Sequence, residues 1–415
     1  MNKYIKYYIL SLLCVFCLGS NAQMYQEMTL QQCIDQALQQ SLLIKQSKLS
    51  ADKARTLQAT AFDVEKTTLA LRQDPTSGGS PDNGISISQS FDFPTLYTAR
   101  HKYLKAQTAV ANSEIAIAEN ELIFQVKSNY YALLHAIEVL RQLQKQDSIY
   151  CHFLVLSTAR HDAGETNNLE QMNALKLQSE NYQALLIAES NVRKIGFTLQ
   201  QLLNTDVIIT PADKQLSPLT FNAETQTAFA STPWGNSYEK RMDSSRRNVQ
   251  LARQAFMPDI NVGFTTQVVI KGFNPYNVDR SRFSKGNLMA FEVGVSVPLF
   301  FGSQKAKLKA ARKEVELLQN ERLMAERQQQ QQQQIAQNEL KRTKRALAYY
   351  TTEALQRAQS MLQISQANYE SGEISYVEYV QNLTSALDVE MRHIDAINDF
   401  NQAVIQFNYI NGQCK

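Results

Sequence analysis

The chain has 415 residues, with 42 Lys and Arg against 39 Asp and Glu. This length allows two or three compact domains or one elongated domain. The near balance of charge, without a basic run interleaved with aromatic residues, argues against nucleic acid as a partner. Of the five cysteines, the three after residue 22, Cys33, Cys151 and Cys414, are far apart and form neither a disulfide framework nor a zinc-binding spacing.

The N-terminal segment, residues 1–22, has the pattern of a secretory signal peptide. Two lysines precede an apolar run at 9–18, and residues 20–22 offer a small-residue cleavage site. The apolar run is too short to span a membrane, and no run of about 20 apolar residues follows it, so we expect no transmembrane helix. Neither Cys14 nor Cys17 follows the small residue that lipid attachment needs, and we expect no lipidation. An uncleaved anchor is the alternative.

Nearly the same turn occurs twice in the chain. Residues 159–170 and 367–378 share an alanine, a glycine and two glutamates at matching positions, and the glycines are Gly164 and Gly372. Glycine adopts the left-handed conformation that ends a helix at low cost. Each copy therefore predicts a helix, a glycine turn and a second helix. Two copies at a fixed offset predict an internal duplication.

Long helices are predicted on both sides of these turns. Proline is absent from 95–210 and 299–415, which are rich in strong helix formers. Within 374–407 the apolar residues recur in steps of three or four, as on one helix face. The stretches 95–161 and 302–369 would each reach about 100 Å as single helices. Their apolar stripes require packing against other long helices.

A run of seven glutamines, residues 328–334, lies inside the second long helix. Glutamine is a fair helix former, so we interpret this run as filler on the polar face of the helix.

Short strands are predicted before each long helix. Alternating apolar and polar residues mark strands at 85–93, 260–270 and 291–297, with a weaker candidate at 62–72. Gly78-Gly79 and residues 272–287 are the predicted hairpin loops.

The predicted order of elements is a helix, two strands and a long helical hairpin, and it occurs twice. We place the first repeat at residues 23–204, a Thr/Pro/Ser-rich linker or equatorial segment at 205–235, and the second repeat at 236–415. The fold class is mainly α with a small β part.

The strands have two interpretations. They can form a soluble hairpin packed on a core, or the wall of a membrane β-barrel with its apolar face outward. Four strands cannot enclose a lumen, and lipid does not tolerate an open sheet edge. In the membrane interpretation several chains must therefore each contribute four strands, and three chains give twelve. This predicts a transmembrane β-barrel formed by a trimer, with the long helices in an α-helical barrel.

The sequence does not predict an enzyme. The five histidines form no ligand pair with a carboxylate at helical spacing, and residues 23–415 contain no nucleophile elbow, phosphate loop or CxxC motif. We expect no catalytic residue, no metal site and no cofactor.

Four segments carry a resemblance to a known family. They are MTLQQCIDQALQQS at 28–41, SFDFPTLYTARHKYLKAQ at 90–107, VSVPLFFGSQKAKLKAARKE at 295–314 and ANYESGEISYVEYVQNLTSALDVE at 367–390. In this order they resemble the outer-membrane efflux proteins, the TolC-like outer-membrane factors.

The resemblance implies a homotrimer in the outer membrane of a Gram-negative bacterium, extending into the periplasm. Its β-barrel would contact outer-membrane lipid. The chain would be the exit duct of a tripartite efflux pump for small molecules or metal ions. A periplasmic adaptor and an inner-membrane transporter would be its partners. The FDFPTLY segment and the end of the chain soon after the last helix favour a transporter of the resistance-nodulation-division type, including heavy-metal pumps.

The resemblance also implies site residues at the helical tips. Tyr369 matches the gate tyrosine of the family, and Glu170 and Glu378 match acidic side chains at the narrowest ring. A hydrogen bond from Tyr369 to Glu170 would be charge-assisted and would hold the tips together. Gln381 stands where a second acid is often found, and Ile374 where an arginine is often found, so the ring and the latch depart from the family pattern.

Two alternatives stay open at the sequence level. One is a duct for type I protein secretion, which changes the cargo only. The other is a periplasmic coiled-coil adaptor or structural protein. Adaptors usually carry one helical hairpin with many short strands, whereas this chain has two predicted hairpins and few strands.

Overall fold

The computed structural model describes residues 25–74, 82–221, 227–268 and 288–413. The predicted signal peptide and both predicted hairpin loops lie wholly or mostly outside these ranges. The strands are β1 (Tyr25–Met28), β2 (Thr68–Asp74), β3 (Asp82–Phe91), β4 (Ile208–Pro211), β5 (Asp259–Val268) and β6 (Leu288–Ser296). The helices are α1 (Leu30–Gln40), α2 (Leu42–Leu57), α3 (Pro94–Asp162), α4 (Asn168–Leu203), α5 (Pro233–Gln254), α6 (Gly302–Tyr349), α7 (Leu355–Glu370) and α8 (Tyr376–Ile410).

The described chain is mainly helical with a small β part, as the sequence predicts. It forms two compact units. Of the described residues, the unit that we call the tip unit comprises 25–44, 119–221 and 331–413, and the sheet unit comprises 45–74, 82–118, 227–268 and 288–330. In the described ranges, none of the helices combines the length and the apolar composition that crossing a membrane requires.

The first long helix forms as predicted, because α3 runs without a break for 69 residues. The second does not. Between α6 and α7, Tyr350–Ala354 form a π-helical segment of five residues. Here the Thr352 hydroxyl donates a hydrogen bond to the Ala348 carbonyl at 2.8 Å. Such bonding to the preceding turn loosens the α-helical ladder, which gives a physical reason for the interruption.

Both turn glycines adopt the predicted conformation. Gly164 has a φ of 75° and Gly372 a φ of 79°. The N–H of Glu165 donates to the Arg160 carbonyl at 2.9 Å, and the N–H of Glu373 donates to the Asn368 carbonyl at 2.8 Å. These bonds satisfy carbonyls at the ends of α3 and α7 that have no partner within the helix.

The main sheet has four strands in the order β2-β3-β5-β6, and all its neighbours are antiparallel. Its two faces differ in chemistry. Leu69, Ile87, Phe264 and Phe291 stand opposite one another in one row across the sheet. The adjacent row, on the other face, consists of Thr68, Ser88, Gly263 and Glu292. The apolar face is exposed, since Leu69 is 71% and Phe291 81% accessible.

Three of the four predicted strands lie within a few residues of β3, β5 and β6. The fourth, predicted at 62–72, is wrong in its first half, because Gln58–Phe62 form a 3-10 helix and β2 begins at Thr68. Phe62 stacks on Tyr97 with ring centroids 5.9 Å apart instead of joining the ladder.

A second, parallel sheet of two strands was not predicted. Strand β1 pairs with β4, which lies inside the predicted linker at 205–235. The hydroxyl of Tyr130 on α3 donates to Asp213 at 2.7 Å, just after β4, and lies 3.3 Å from the Met28 carbonyl in β1. Strands of four residues are too short to show an alternating pattern, which is why the sequence did not reveal them.

The glutamine run is not confined to a polar face. Gln329 and Gln333 are buried, and the Gln333 amide donates to the Asn411 side chain at 2.9 Å. These positions continue the buried stripe of α6 through Ala336 and Leu340, which pack on α8. The interpretation of the run as surface filler is therefore wrong for two of its residues.

Replacing Gly372 by alanine tests the turn. Nothing lies within 4 Å of the added Cβ, so the cost comes from the positive φ alone. We expect about 1–2 kcal/mol, which corresponds to a five- to thirtyfold rise in local opening. Amide hydrogen exchange at the ends of α7 and α8 measures it.

The matched control is Gly302→Ala. It also has open space around the added Cβ, without a positive φ, and it should leave exchange unchanged or slow it. Equal effects of the two variants would contradict the assignment of strain to Gly372.

Candidate functional site

The tips of the two helical hairpins share one buried aromatic cluster. It contains Tyr150, Phe153, Ala174, Tyr369, Tyr379, Leu383 and Leu387, from α3, α4, α7 and α8. The Tyr369 and Tyr379 rings are stacked, with centroids 4.5 Å apart and an interplanar angle of 7°. Phe153 packs against both rings, at 6.0 and 5.5 Å. The cluster fixes the end of α7 against the other three helices.

Tyr369 and Glu170 meet inside this cluster, as the resemblance implied. The Tyr369 hydroxyl donates a hydrogen bond to Glu170 Oε1, and each residue is only 2% exposed. Arg160 completes the group. Its Nη1 lies 3.8 Å from Glu170 Oε1, and its guanidinium lies 5.1 Å from the centre of the Tyr369 ring. The buried carboxylate thus has a hydroxyl donor and a nearby positive charge, which burial of a carboxylate requires.

The pKa of Tyr369 is raised, first by burial and then by the hydrogen bond and negative charge of Glu170. The hydroxyl therefore keeps its proton and remains a donor at neutral pH. The pKa of Tyr369 is therefore higher in the folded protein than in the unfolded chain, where a tyrosine has a pKa of about 10. Below about pH 10 this difference stabilises the folded contact, and the stabilisation decreases as the pH rises above that value.

The two glutamates that match in sequence have different surroundings. Glu170 is buried and reaches across to α7. Glu378 is exposed, and its Oε2 accepts from the backbone N–H and the hydroxyl of Ser375, both at 2.9 Å. With the bond from Glu378 N–H to the Ser375 hydroxyl, this is a complete capping box at the start of α8. The Ser375 backbone N–H, and then its hydroxyl, lower the pKa of Glu378, so it stays ionised.

The remaining predicted residues lie near the same turn. Gln381 is exposed on α8, one turn after Glu378, so both present polar ends to the same side of the helix. Ile374 packs against the aromatic cluster. Tyr376 at the start of α8 accepts a hydrogen bond from Asn173 of α4 at 3.3 Å.

A buried ionic contact farther along the hairpins was not predicted. Glu390 of α8 is 7% exposed and binds Lys145 of α3 at 2.8 Å and the Gln142 amide at 2.5 Å. A signal for it was present in the sequence. The buried positions Leu383, Leu387 and Ile394 have a helical spacing that puts Glu390 on the same face, where an acid needs a partner.

The described residues contain no group of three or more His, Cys, Asp or Glu side chains placed to hold a metal ion. What the tips offer is a polar latch inside an aromatic core, and exposed polar side chains on the first turns of α8.

The chain aligns over most of its length with solved membrane proteins. A crystal structure of a membrane protein from Pseudomonas aeruginosa aligns with a TM-score of 0.78 at 16% identity, covering 92% of this chain and 93% of that one. The outer membrane protein VceC of Vibrio cholerae gives 0.71 at 14% identity, covering 92% and 96%. The open-state MtrE outer membrane channel of Neisseria gonorrhoeae gives 0.73 at 17% identity, covering 93% and 89%.

Residues 236–413 match the family model described as outer membrane efflux protein. This segment is the second of the two predicted repeats, and its match confirms the resemblance to the outer-membrane efflux proteins that the sequence shows. No curated protein sequence matched the chain.

Replacing Tyr369 by phenylalanine tests the latch. The change removes the hydroxyl and leaves the Glu170 carboxylate buried without its donor. Hydrogen bonds to charged groups contribute about 1.5–3 kcal/mol, so we expect at least a tenfold rise in opening at the end of α7, measured by hydrogen exchange.

The control is Tyr379→Phe, the same change on the stacked ring of the same cluster. It should have a small effect. For wild type, the free energy of opening should not change through Tyr369 between about pH 7 and 9, and should fall above about pH 10. Equal effects of the two phenylalanine variants would contradict the latch.

Proposed function

We propose that the chain is the outer-membrane channel of a tripartite efflux pump. Three copies form a gated tunnel that passes small molecules or metal ions from the periplasm to the exterior of a Gram-negative cell. A periplasmic adaptor and an inner-membrane transporter, of the resistance-nodulation-division type, complete the pump. The match of residues 236–413 to the outer membrane efflux protein model supports this proposal.

The observation that carries the proposal is the two-faced sheet with open edges. Strands β2 and β6 each have one neighbour among the described strands, so the outer edge of each leaves backbone N–H and C=O groups without strand partners. In lipid such groups must pair. Pairing β6 of one copy with β2 of the next satisfies both edges, and three copies of four strands form a closed barrel.

The dimensions of the sheet fit a bilayer. Strands β3 and β5 have 10 residues each and β6 has 9, within the range of about 9–11 for a tilted transmembrane strand. Ten residues at about 3.3 Å, tilted by about 40°, cover about 25 Å of membrane. The exposed apolar rows would face lipid, and the rows of serine, asparagine and glycine would face the lumen.

The tips supply the gate in this proposal. Tyr369 and Glu170 hold the two hairpins of one copy together. Glu378 and Gln381, exposed on the first turns of α8, would form rings at the constriction when three copies surround the tunnel axis. A ring of ionised carboxylates attracts cations and repels anions.

The solved structures give a reason to prefer a channel over an adaptor. They align over about nine-tenths of the chain, and two of the three described above are named as outer-membrane proteins. A duct for protein secretion would share this fold and differ in its cargo and partners, which the neighbouring genes would indicate.

Planar-bilayer conductance tests the proposal through Glu378. Purified wild-type protein should form cation-selective channels. Glu378→Gln keeps the side-chain acceptor for the capping box and removes the charge, so it should lower cation preference while leaving the helix start intact.

Ser375→Ala is the control, because it weakens the capping box and keeps the charge of Glu378. It should retain cation selectivity. An absence of channels would contradict the proposed function. If channels form but their selectivity does not change in Glu378→Gln, the carboxylate ring is contradicted and the channel function is not.

A further inference from the structure

The helix segments that adjoin the main sheet are strongly basic. Residues 53–62, 94–113, 244–258 and 302–313 contain 13 Lys and Arg and no Asp or Glu. The whole chain is nearly balanced, with 42 basic against 39 acidic residues. Positive charge is therefore concentrated where α2, α3, α5 and α6 meet the strands of the sheet unit.

A cavity defines the two sides of this helix layer. Its volume is about 850 Å³, and α2, α3, α5 and α6 all contribute to its lining, for example through Ala54, Gln107, Asn248 and Ala311. Each of these helices therefore has a side that faces the cavity and an opposite side, which we call the outer side.

Most of the basic side chains lie on the outer side. By the helical period of 3.6 residues per turn, seven cations of α3, α5 and α6 fall roughly opposite the cavity-lining positions of their own helices. We call this set the basic face; its members are Lys102, Lys105, Arg246, Arg253, Lys305, Lys309 and Arg312, and all are exposed.

The basic face is not neutralised by the protein itself. In the described part of the chain none of its seven cations forms an ion pair. On α5 and α6 the nearest acids on the same side lie farther from the sheet and are paired with other cations, whereas Asp52 of α2 is exposed. Asp243 binds Arg247 at 3.5 Å, and Glu316 binds Lys313 at 2.6 Å.

The basic face lies on the same side as the apolar face of the sheet. Asp92 directly follows β3 and continues the alternation of Ser86, Ser88 and Ser90 on the polar face. It binds Arg100, a residue on the cavity side of α3, at 3.3 Å. The polar sheet face and the cavity side are therefore continuous, and the apolar sheet face continues into the basic face.

The seven cations also lie at a restricted height. Counted along their helices at 1.5 Å per residue, they fall within about 17 Å of the helix ends at the sheet. The headgroup region of a bilayer is about 5–8 Å thick on each side, and charge acts over about 8 Å beyond it at physiological salt. The basic face spans this zone.

We propose that the basic face binds the anionic phospholipid headgroups of the membrane leaflet that faces the periplasm. This inference rests on the proposed function, which places the apolar sheet face in lipid. The contact would fix the depth of the sheet in the membrane, since moving it either way separates cations from phosphates. A lysine or arginine near an anionic membrane surface strengthens association by about fivefold. Cell-wall polyanions are a less suitable partner, because they would not require the cations to adjoin the apolar face.

The test compares two lipids on the detergent-extracted protein. Wild type is equilibrated in mixed micelles of equal amounts of phosphatidylglycerol and phosphatidylethanolamine, and native mass spectrometry counts the lipid of each kind retained. The variant carries Lys105→Gln, Arg246→Gln, Lys305→Gln and Lys309→Gln. We expect wild type to prefer phosphatidylglycerol and the variant to lose at least about tenfold of that preference.

A control variant removes four exposed cations of the tip unit: Arg193→Gln, Lys194→Gln, Lys341→Gln and Lys344→Gln. It has the same net charge as the test variant and should retain the preference of wild type. An equal loss of phosphatidylglycerol preference in both variants, or no such preference in wild type, would overturn the proposal that the basic face binds lipid headgroups. Binding of wild type to purified cell-wall sacculi in place of phosphatidylglycerol would reassign the basic face to the cell wall. A membrane-extracted trimer without lipid preference would leave the channel standing, whereas a soluble monomer would remove both proposals.

Discussion

The hydrogen-bonding capacity of two strand edges constrains this protein more than any other feature. The main sheet has an exposed apolar face, and its outer strands β2 and β6 each have one neighbour among the described strands. A flat apolar edge in water promotes uncontrolled association, and an open edge in lipid is not tolerated. Closure by further copies of the same chain removes both difficulties.

The two matching turns place their glutamates in different surroundings. Glu170 and Glu378 occupy matching positions, but only Glu170 faces the aromatic cluster shared by the two hairpins. A buried carboxylate needs hydrogen-bond or charged partners, and Tyr369 and Arg160 provide them. Glu378 stays in solvent and caps its own helix through Ser375. The first copy of the turn thus contributes a contact between the two hairpins, and the second leaves an ionised side chain exposed to solvent.

The sequence predicts those features that depend on periodic patterns or on single residues with restricted conformations. The uninterrupted α3, the left-handed turns at Gly164 and Gly372, and strands β3, β5 and β6 follow from such signals. The contact between Tyr369 and Glu170 came from the family resemblance, because no local rule brings together residues 199 positions apart. Features decided by tertiary contacts were missed. They are the parallel pair β1–β4, the π-helical segment at Tyr350–Ala354, the burial of Gln329 and Gln333, and the buried pair of Glu390 and Lys145.

The native mass of the particle extracted from membranes with mild detergent tests the central claim most directly. If the open edges are closed by copies of the chain, the protein must be found in the membrane fraction, and its mass must equal three processed chains. A particle of three chains is the predicted result. A soluble monomer or dimer would contradict the account, because the strands would then not form a closed barrel wall.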